Sequence, residues 1–192
     1  MLICLIGCTC SGKSSILNGL NELGIPKILN YTTRPKRPSE QTGEDYFFVS
    51  DEEFTTLETL GYFAEITEFN VKDSVWRYAT SKSDIYENTN DRCIIINPQN
   101  LDFYRNLTDC LIVYVYSNKE IVWNRLRLRG SGADDARRRI EADSVDFENI
   151  LDSVDVAVNN DGQKTPLEIA QMISNLIRKE DEWSEKSTLL VE

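Results

Sequence analysis

The stretch Gly7-Cys8-Thr9-Cys10-Ser11-Gly12-Lys13-Ser14 decides the fold. It has the glycine, lysine and hydroxyl spacing of a phosphate-binding loop. The apolar run at 2–6 predicts a buried strand before it, and the apolar spacing across 16–23 predicts a helix after it. In that context the backbone N–H groups of the loop turn inward as an anion-binding nest, and the helix adds the positive end of its dipole. The sequence therefore predicts an ATP site, with Lys13 on the β- and γ-phosphates and the Ser14 hydroxyl on Mg²⁺.

The composition of the chain limits its partners. The 192 residues are enough for one domain with a sizeable core. A net charge of −11 argues against general binding to nucleic acids or to anionic membranes. The apolar runs are too short to span a membrane, and no basic leader precedes the first strand. The odd number of cysteines, five, favours a reducing compartment, and so we expect a cytoplasmic protein without membrane or nucleic-acid partners.

The distribution of histidine and arginine narrows the chemistry. The chain contains no histidine, which excludes Ser-His-Asp and Cys-His catalysis and zinc sites with histidine ligands. Six of its arginines lie within 125–139, and a smaller basic cluster lies within 34–37. An acidic protein that concentrates guanidinium groups in two places is suited to hold a small polyanion there. Phosphoryl transfer fits this pattern, because it depends on positioning and electrostatics.

The order of predicted elements indicates the fold class. Short apolar strands alternate with helices, which predicts an α/β fold with a parallel sheet of the P-loop NTPase type and helices on both faces. Strands are predicted at 26–30, 93–96 and 111–116, and a last strand at 154–158. Residues 31–80 interrupt this rhythm as a small β-rich lobe, and the charged tail from 179 is expected to be loosely held.

Several further segments make the chain resemble the guanylate kinases from its first strand to about residue 178. Besides the phosphate loop, the matching segments are Tyr31-Thr32-Thr33-Arg34-Pro35-Lys36-Arg37-Pro38, Gly43-Glu44-Asp45-Tyr46-Phe47-Phe48-Val49-Ser50, Phe63-Ala64-Glu65, Tyr78-Ala79-Thr80, Arg125-Leu126, Arg129-Gly130, Arg139-Ile140 and Val158-Asn159-Asn160-Asp161. Their order and spacing together are specific, whereas none of the short segments would be specific alone.

The resemblance implies an enzyme of three parts in one guanylate-kinase-like domain. The core would comprise 1–30, 81–124 and 140–178, the lobe for the nucleoside monophosphate 31–80, and a helical lid 125–139, followed by the tail 179–192. Such an enzyme transfers the γ-phosphoryl group of ATP to GMP or dGMP with Mg²⁺, so the implied partners are small-molecule substrates.

The resemblance also assigns roles to single residues. The acceptor nucleotide would be bound by Asn30, Arg34, Arg37, Tyr46, Glu65, Tyr78, Thr80 and Asn97, with Glu65 accepting from the guanine N1 and N2 hydrogens. ATP would be bound by the loop from Gly7 through Ser14, by Ser15, and near its adenine by Asn159. Lys13, Arg125, Arg129 and Arg139 would be catalytic. The three arginines would close over the phosphates, with Gly130 and Gly132 as hinges of the lid.

Departures from the family pattern leave other functions open. Asn30 replaces a serine, Ala79 replaces a glycine, and Ile95 and Asn97 stand where the family usually carries two aspartates. Another nucleoside monophosphate or a ribose phosphate could therefore be the acceptor. A guanylate-kinase-like binding module without catalysis is a third hypothesis, although such modules typically lack the loop lysine and the lid arginines that this chain keeps.

Overall fold

The computed structural model of the protein describes residues 1–71, 74–87, 90–107, 109–177 and 189–191. The chain divides into two compact units, one formed by Met1–Lys27 with Asp91–Glu192 and the other by Ile28–Asn90. The second unit therefore begins three residues before the lobe predicted at 31–80 and ends ten residues after it.

The helices and strands follow the alternation predicted from the sequence. The strands are β1 (Leu2–Ile6), β2 (Tyr31–Thr32), β3 (Phe47–Phe48), β4 (Phe63–Val71), β5 (Ser74–Ser81), β6 (Arg92–Ile95), β7 (Cys110–Tyr116), β8 (Val156–Asn159) and β9 (Leu189–Val191). The α-helices are α1 (Lys13–Glu22), α2 (Asp51–Thr59), α3 (Leu101–Arg105), α4 (Lys119–Leu128), α5 (Ala133–Asp146) and α6 (Pro166–Ile177). A π-helical turn covers Ser83–Glu87, and 3₁₀ turns cover Pro98–Asn100 and Ile150–Ser153.

The first unit is built on a parallel sheet with the strand order β6-β1-β7-β8-β9. All five residues of β1 are buried, so both faces of this strand are covered. One face packs against α1 and α6, where Gly19 allows close approach, since a Cβ there would lie 2.9 Å from the Cβ of Ala170. The predicted fold class, a parallel sheet flanked by helices, is confirmed.

The second unit contains a mixed sheet with the order β3-β2-β5-β4. Strand β5 pairs antiparallel with both β2 and β4, and a bulge interrupts the β4 register between Phe63 and Glu65. Phe54 of α2 and Phe63 form the centre of its core, and the guanidinium of Arg77 lies 4.4 Å from the Phe54 ring centroid. Ser50 is the N-cap of α2 and forms with Glu53 the capping box that the Ser50–Glu53 spacing predicts.

Two predicted strands require correction. The segment 26–30 forms only an isolated bridge from Lys27 to Cys93, because Pro26 has no N–H to donate and its carbonyl accepts from the Cys93 N–H. The strand predicted at 154–158 runs from Val156 to Asn159 and is not the last, since β9 pairs parallel with it. Residues 179–188 and 192 of the predicted tail lie outside the described residues.

No boundary of the predicted lid coincides with the end of a helix. Helix α4 continues through residue 125, and α5 continues through residue 139. The two helices are joined at Arg129–Gly132, where Gly130 has φ +85°. Within the described ranges, no helix is both long enough and apolar enough to cross a membrane.

Candidate active site

The phosphate loop between β1 and α1 has a backbone that requires its two glycines. Gly12 has φ +99°, and a Cβ at this position would lie 2.1 Å from Nδ2 of Asn160. A Cβ on Gly7 would lie 2.0 Å from the carbonyl oxygen of Val115. Cys10 also adopts a left-handed conformation, with φ +55°. The curl predicted from the glycine spacing is therefore enforced by conformation and by the close approach of neighbouring elements.

Carbonyl groups of this loop accept hydrogen bonds from two side chains of other elements, Asn160 after β8 and Arg125 on α4. Asn160, directly after β8, donates from Nδ2 to the Ser11 carbonyl at 2.7 Å. The Arg125 guanidinium donates to the Cys10 carbonyl at 3.1 Å, to the Ser117 hydroxyl at 3.0 Å and to the Asn160 carbonyl at 2.9 Å. Arg125 therefore connects the loop, the end of β7 and the end of β8 within the first unit.

Lys13 bonds the first half of the same loop. Its ammonium donates to the Gly7 carbonyl at 2.6 Å and to the Cys8 carbonyl at 2.7 Å. Loss of hydration lowers the pKa of Lys13 to about 8, although the negative charge of Asp143 opposes the change. The lysine is thus mostly protonated at neutral pH and begins to lose its charge just above it.

Asp143 on α5 bonds the phosphate loop, a contact that the sequence did not predict. Its Oδ2 accepts from the Thr9 N–H at 2.8 Å. Burial raises the pKa of the Asp143 carboxyl, and the Thr9 N–H and the charge of Lys13 only partly offset that increase. A carboxylate of the protein therefore binds one of the N–H groups expected to contact a phosphate.

The second unit contains the other predicted phosphate site, centred on Arg34. Its side chain is only 5% exposed and forms a two-point ion pair with Glu40, with N–O distances of 2.9 and 2.8 Å. Glu40 also accepts from the backbone N–H of Arg37 at 2.8 Å and from its guanidinium at 3.4 Å. Burial opposes ionisation of Glu40, but the bonds from Arg34 and Arg37 outweigh it and lower the pKa of Glu40.

Two tyrosines lie beside this arginine pair. The rings of Tyr46 and Tyr78 are 6.0 Å apart between centroids, and the Arg34 guanidinium lies 5.3 Å from the Tyr46 centroid. Burial raises the pKa of both phenols, although the positive charge of Arg34 opposes the change. Both hydroxyls therefore stay protonated near neutral pH, as a donor to a phosphate must.

The residues predicted to read the base form a hydrogen-bonded group in the same unit. The Thr80 hydroxyl lies 2.7 Å from Oε1 of Glu65 and 2.9 Å from Oδ1 of Asn30. Thr80 is fully buried, and Glu65 follows the bulge of β4. The Thr80 hydroxyl thus orients the Glu65 carboxylate, a group that offers acceptor sites on both of its oxygens.

Comparison with known proteins identifies the family. A model of the guanylate kinase family matches residues 1–176. The chain belongs to the guanylate kinase family. A guanylate kinase of Blochmanniella floridana is 34% identical over 140 residues, which cover 65% of this chain and 61% of that protein. A guanylate kinase of Legionella pneumophila (strain Lens) is 28% identical over 93% of this chain and 88% of its own length.

A solved structure shows the same fold. The crystal structure of guanylate kinase from Anaplasma phagocytophilum superposes with a TM-score of 0.69 at 22% sequence identity, and it covers 96% of this chain and 87% of that one. The two chains thus share a fold although few of their residues are identical. This is consistent with a fold that depends on the pattern of apolar and polar residues in strands and helices.

Within this member of the guanylate kinase family, the lid arginines lie in three different environments. Arg125 is bonded to the loop, Arg139 is one-third exposed and donates to Asp135 at 2.9 Å, and Arg129 is exposed. The positive charge of Arg129 contributes to the lowered pKa of Lys13. Contact of these three groups with a phosphoryl group stays a prediction.

The remaining predicted residues lie as follows. Ser14 and Ser15 are exposed in the first turn of α1, and Asn97 is half-buried and precedes a 3₁₀ turn in the first unit, whereas Glu65 belongs to the second. Asn159 ends β8 with its Oδ1 buried and without a partner among the described residues. Its neighbour Asn160 is the one that bonds the loop.

Sequence reasoning missed three residues of the candidate site, namely Asp143, Asn160 and Glu40. Two of them had a signal in the spacing of charged residues. Asp143 lies four residues after Arg139, so both fall on one face of a helix. Glu40 lies three residues after Arg37 in a loop that concentrates positive charge. For Asn160 the only signal was its position directly after a strand.

We expect Arg125→Ala to lower the free energy of unfolding by about 2–3 kcal/mol, because it removes charged hydrogen bonds to three partly buried acceptors. Arg127→Ala on the same helix removes an exposed guanidinium that bonds the Ser131 carbonyl, and we expect a loss of about 0.5 kcal/mol or less. Urea unfolding followed by circular dichroism measures both. Equal losses for the two variants would contradict the bonding described for Arg125.

We also expect ATP binding without metal to weaken by about tenfold or more between pH 7.5 and 9.5. The reason is that the Lys13 pKa of about 8 is lowered from its ordinary value, so the ammonium loses its proton and its attraction for phosphate across this interval. Isothermal titration calorimetry measures the dissociation constant. In Lys13→Arg the charge persists over the whole range, and its affinity should be flat with pH; a flat profile for the unchanged protein would refute the prediction.

Proposed function

We propose that the protein transfers the γ-phosphoryl group of ATP to GMP or dGMP and so produces ADP and GDP or dGDP. The observation that carries the proposal is the phosphate loop. The loop has a curl that depends on its glycines, and Lys13 follows it as the first residue of α1. It lies in a chain that belongs to the guanylate kinase family. A binding module without catalysis could bind ATP through the same loop. The residues that would bind the acceptor nucleotide therefore distinguish a kinase from such a module.

On the donor side, the loop would bind the ATP phosphates through its inward N–H groups, and Lys13 would turn from the Gly7 and Cys8 carbonyls to the β- and γ-phosphates. The Thr9 N–H would exchange the Asp143 carboxylate for a phosphate oxygen. Arg129 and Arg139 would then close over the transferred group, which stabilises its charge and excludes water. Arg125 would hold the loop in place and would add positive charge near the phosphates.

Magnesium would be held mainly by the nucleotide. Among the described residues, no group of three or more acidic, cysteine or histidine side chains could hold a metal ion by itself. The exposed Ser14 hydroxyl at the start of α1 fits a cation that keeps several waters and takes most of its other ligands from phosphates. Bound there, Mg²⁺ would neutralise charge on the β- and γ-phosphates during transfer.

On the acceptor side, Arg34 and Arg37 would bind the phosphate of GMP together with the hydroxyls of Tyr46 and Tyr78. An arginine has five N–H donors, so Arg34 can retain Glu40 and still donate to a phosphate oxygen. Arg37 is half exposed and makes only a long contact with Glu40, which favours it as the first donor to an incoming phosphate. The tyrosines add neutral donors.

Base selection would depend on Glu65. Guanine presents two adjacent N–H donors, N1 and N2, which a carboxylate can accept, whereas adenine has no such pair. The Thr80 hydroxyl would orient the Glu65 carboxylate, and Asn30 would add a further polar group beside Thr80. The usual aspartates are absent at Ile95 and Asn97, so Glu65 would carry the selection nearly alone, with Asn97 as an additional contact. We extend the proposal to a cytoplasmic location, since all five cysteines are free thiols, as a reducing compartment favours.

We expect turnover of ATP with Mg²⁺ in the presence of GMP or dGMP, and not with AMP, CMP, UMP or ribose 5-phosphate. A coupled assay of ADP release measures this, with Lys13→Ala as the control. That variant should lose about 10²-fold or more of the rate. It should keep its fold, because the bonds from Arg125 and Asn160 to the loop remain.

Each other outcome of this assay has a definite meaning. Turnover with a different acceptor would place the change in specificity at Asn30, Ile95 and Asn97. Absence of turnover with every acceptor, while ATP still binds, would refute the kinase proposal and favour a binding module. Equal rates for the unchanged protein and Lys13→Ala would contradict the role of the loop.

We expect Glu65→Gln to lower kcat/KM for GMP by about 10²–10³-fold, because one acceptor becomes a donor that faces the donors of guanine. The KM for ATP should stay within about twofold of the original. Glu68→Gln, an exposed position in the same strand β4, is the matched control and should leave both values unchanged. A similar loss in both variants would show that Glu65 does not read the base.

A further inference from the structure

The first unit contains a cavity of about 790 Å³ next to the phosphate loop. Its volume lies within the range of about 300–1,000 Å³ that is typical of small-molecule sites. Cys8 is the residue of the loop that lines it, and neither Lys13 nor Ser14 is among the described lining residues. The cavity thus borders the loop without being the phosphate site itself.

Three aromatic rings dominate one wall of this cavity. Tyr114 and Tyr116 lie on the same side of β7, with ring centroids 5.8 Å apart and planes inclined by 20°. Phe147, after the end of α5, is stacked on Tyr114 at 5.5 Å and 28°. Three nearly parallel rings offer π-faces and edges to a planar ligand and also attract cations through their quadrupoles.

The charged groups of the lining are two carboxylates, Asp143 and Asp152, and one ammonium, Lys119. Asp152 and Lys119 are exposed, whereas Asp143 is partly buried and reaches the loop through Thr9. Burial raises the pKa of the Asp143 carboxyl despite the nearby positive charges of Lys13 and Arg139, so its negative charge is incompletely compensated. A positively charged ligand would supply that compensation.

We propose that this cavity is a binding site for an organic cation that carries an aromatic ring, with the ring against Tyr114, Tyr116 and Phe147 and the ammonium group on Asp143. Aromatic walls combined with a partly buried carboxylate favour such a ligand over an anion of the same shape. Val122 and Ile140 add apolar side chains to the lining. The site does not depend on the acceptor of the proposed kinase reaction.

The same carboxylate links the cavity to the loop. Asp143 accepts from the Thr9 N–H, and the Cys8 sulfur lies 3.5 Å from the Tyr114 hydroxyl. A ligand ammonium would compete with the Thr9 N–H for Asp143. Binding in the cavity would therefore alter the affinity of the loop for phosphate, and by reciprocity the loop would alter the affinity of the cavity.

A matched pair of probes and a matched pair of variants test the site. The probes are 2-naphthylmethylammonium and 2-naphthoate, which share a ring system and differ in the sign of their charge. We expect the ammonium to bind the full chain about tenfold or more tightly than the carboxylate, as measured by calorimetry at pH 7. Asp143→Asn should reduce that preference by about tenfold.

Two tryptophan substitutions on adjacent residues of α5 test the location. Ser144 is exposed and lines the cavity, so Ser144→Trp should fill it and weaken binding of the ammonium by about tenfold or more. Val145 is 72% exposed and does not belong to the described lining, so Val145→Trp should bind as the unchanged protein does. Near-ultraviolet circular dichroism verifies the fold, and Leu151→Trp on the cavity wall replaces Ser144→Trp if that variant does not fold.

The proposal is overturned if Ser144→Trp and Val145→Trp bind the ammonium equally, because the site would then lie elsewhere. It is also overturned if the two probes bind with equal affinity, because selection by charge would be absent. These outcomes are independent of GMP turnover, so they do not coincide with failure of the proposed kinase function.

Discussion

The first unit depends on how the phosphate loop satisfies its own carbonyl groups. A loop that turns its N–H groups inward necessarily turns carbonyls outward, and each of these needs a donor. Lys13 serves the carbonyls of Gly7 and Cys8, Arg125 serves that of Cys10, and Asn160 serves that of Ser11. These donors come from the starts or ends of three elements, α1, α4 and β8. The order of strands in the sheet brings those ends together. The sheet topology therefore supplies the donors on which the curl of the loop depends.

Electrostatic compensation follows the same logic in both units. The chain has a net charge of −11, yet the groups directed at phosphates are cationic or are N–H donors. In the first unit the Asp143 carboxylate binds the Thr9 N–H, and in the second Glu40 binds Arg34 and Arg37. These carboxylates keep the donors oriented and reduce the cost of assembling them without a substrate. A phosphate must compete with them, so they lower its affinity while they preorganise its site.

Local signals in the sequence were sufficient for the elements, and long-range contacts explain most of what was missed. The loop, the cap at Ser50 and the strand–helix alternation all depend on nearby residues, and the structure contains each of them. Asn160 was missed because adjacent residues at the end of a strand point in different directions, and pairing of Tyr116 with Asn159 fixes which one reaches the loop. Asp143 and Glu40 bond groups whose proximity depends on α5 and on a proline-containing loop. Strand β9 was missed because its three apolar residues follow a charged segment, and so few apolar residues give no clear strand pattern.

The bonds around the loop hold Ser11 and Gly12 more tightly than they hold Cys8 and Thr9. Ser11 and Gly12 are fixed by the buried Asn160 amide, which leaves no room for a Cβ at Gly12, and by the Arg125 guanidinium beside it. Cys8 and Thr9 are held by the Lys13 ammonium on the Cys8 carbonyl, by a long sulfur–hydroxyl contact, and by the Asp143 carboxylate, whose pKa is raised by burial. A weak sulfur contact is easily exchanged, and a carboxylate with unused acceptor sites can change partners. Any change in the loop on binding phosphate should therefore concentrate at Cys8 and Thr9, the side that faces the aromatic cavity, while the half nearest α1 keeps its geometry.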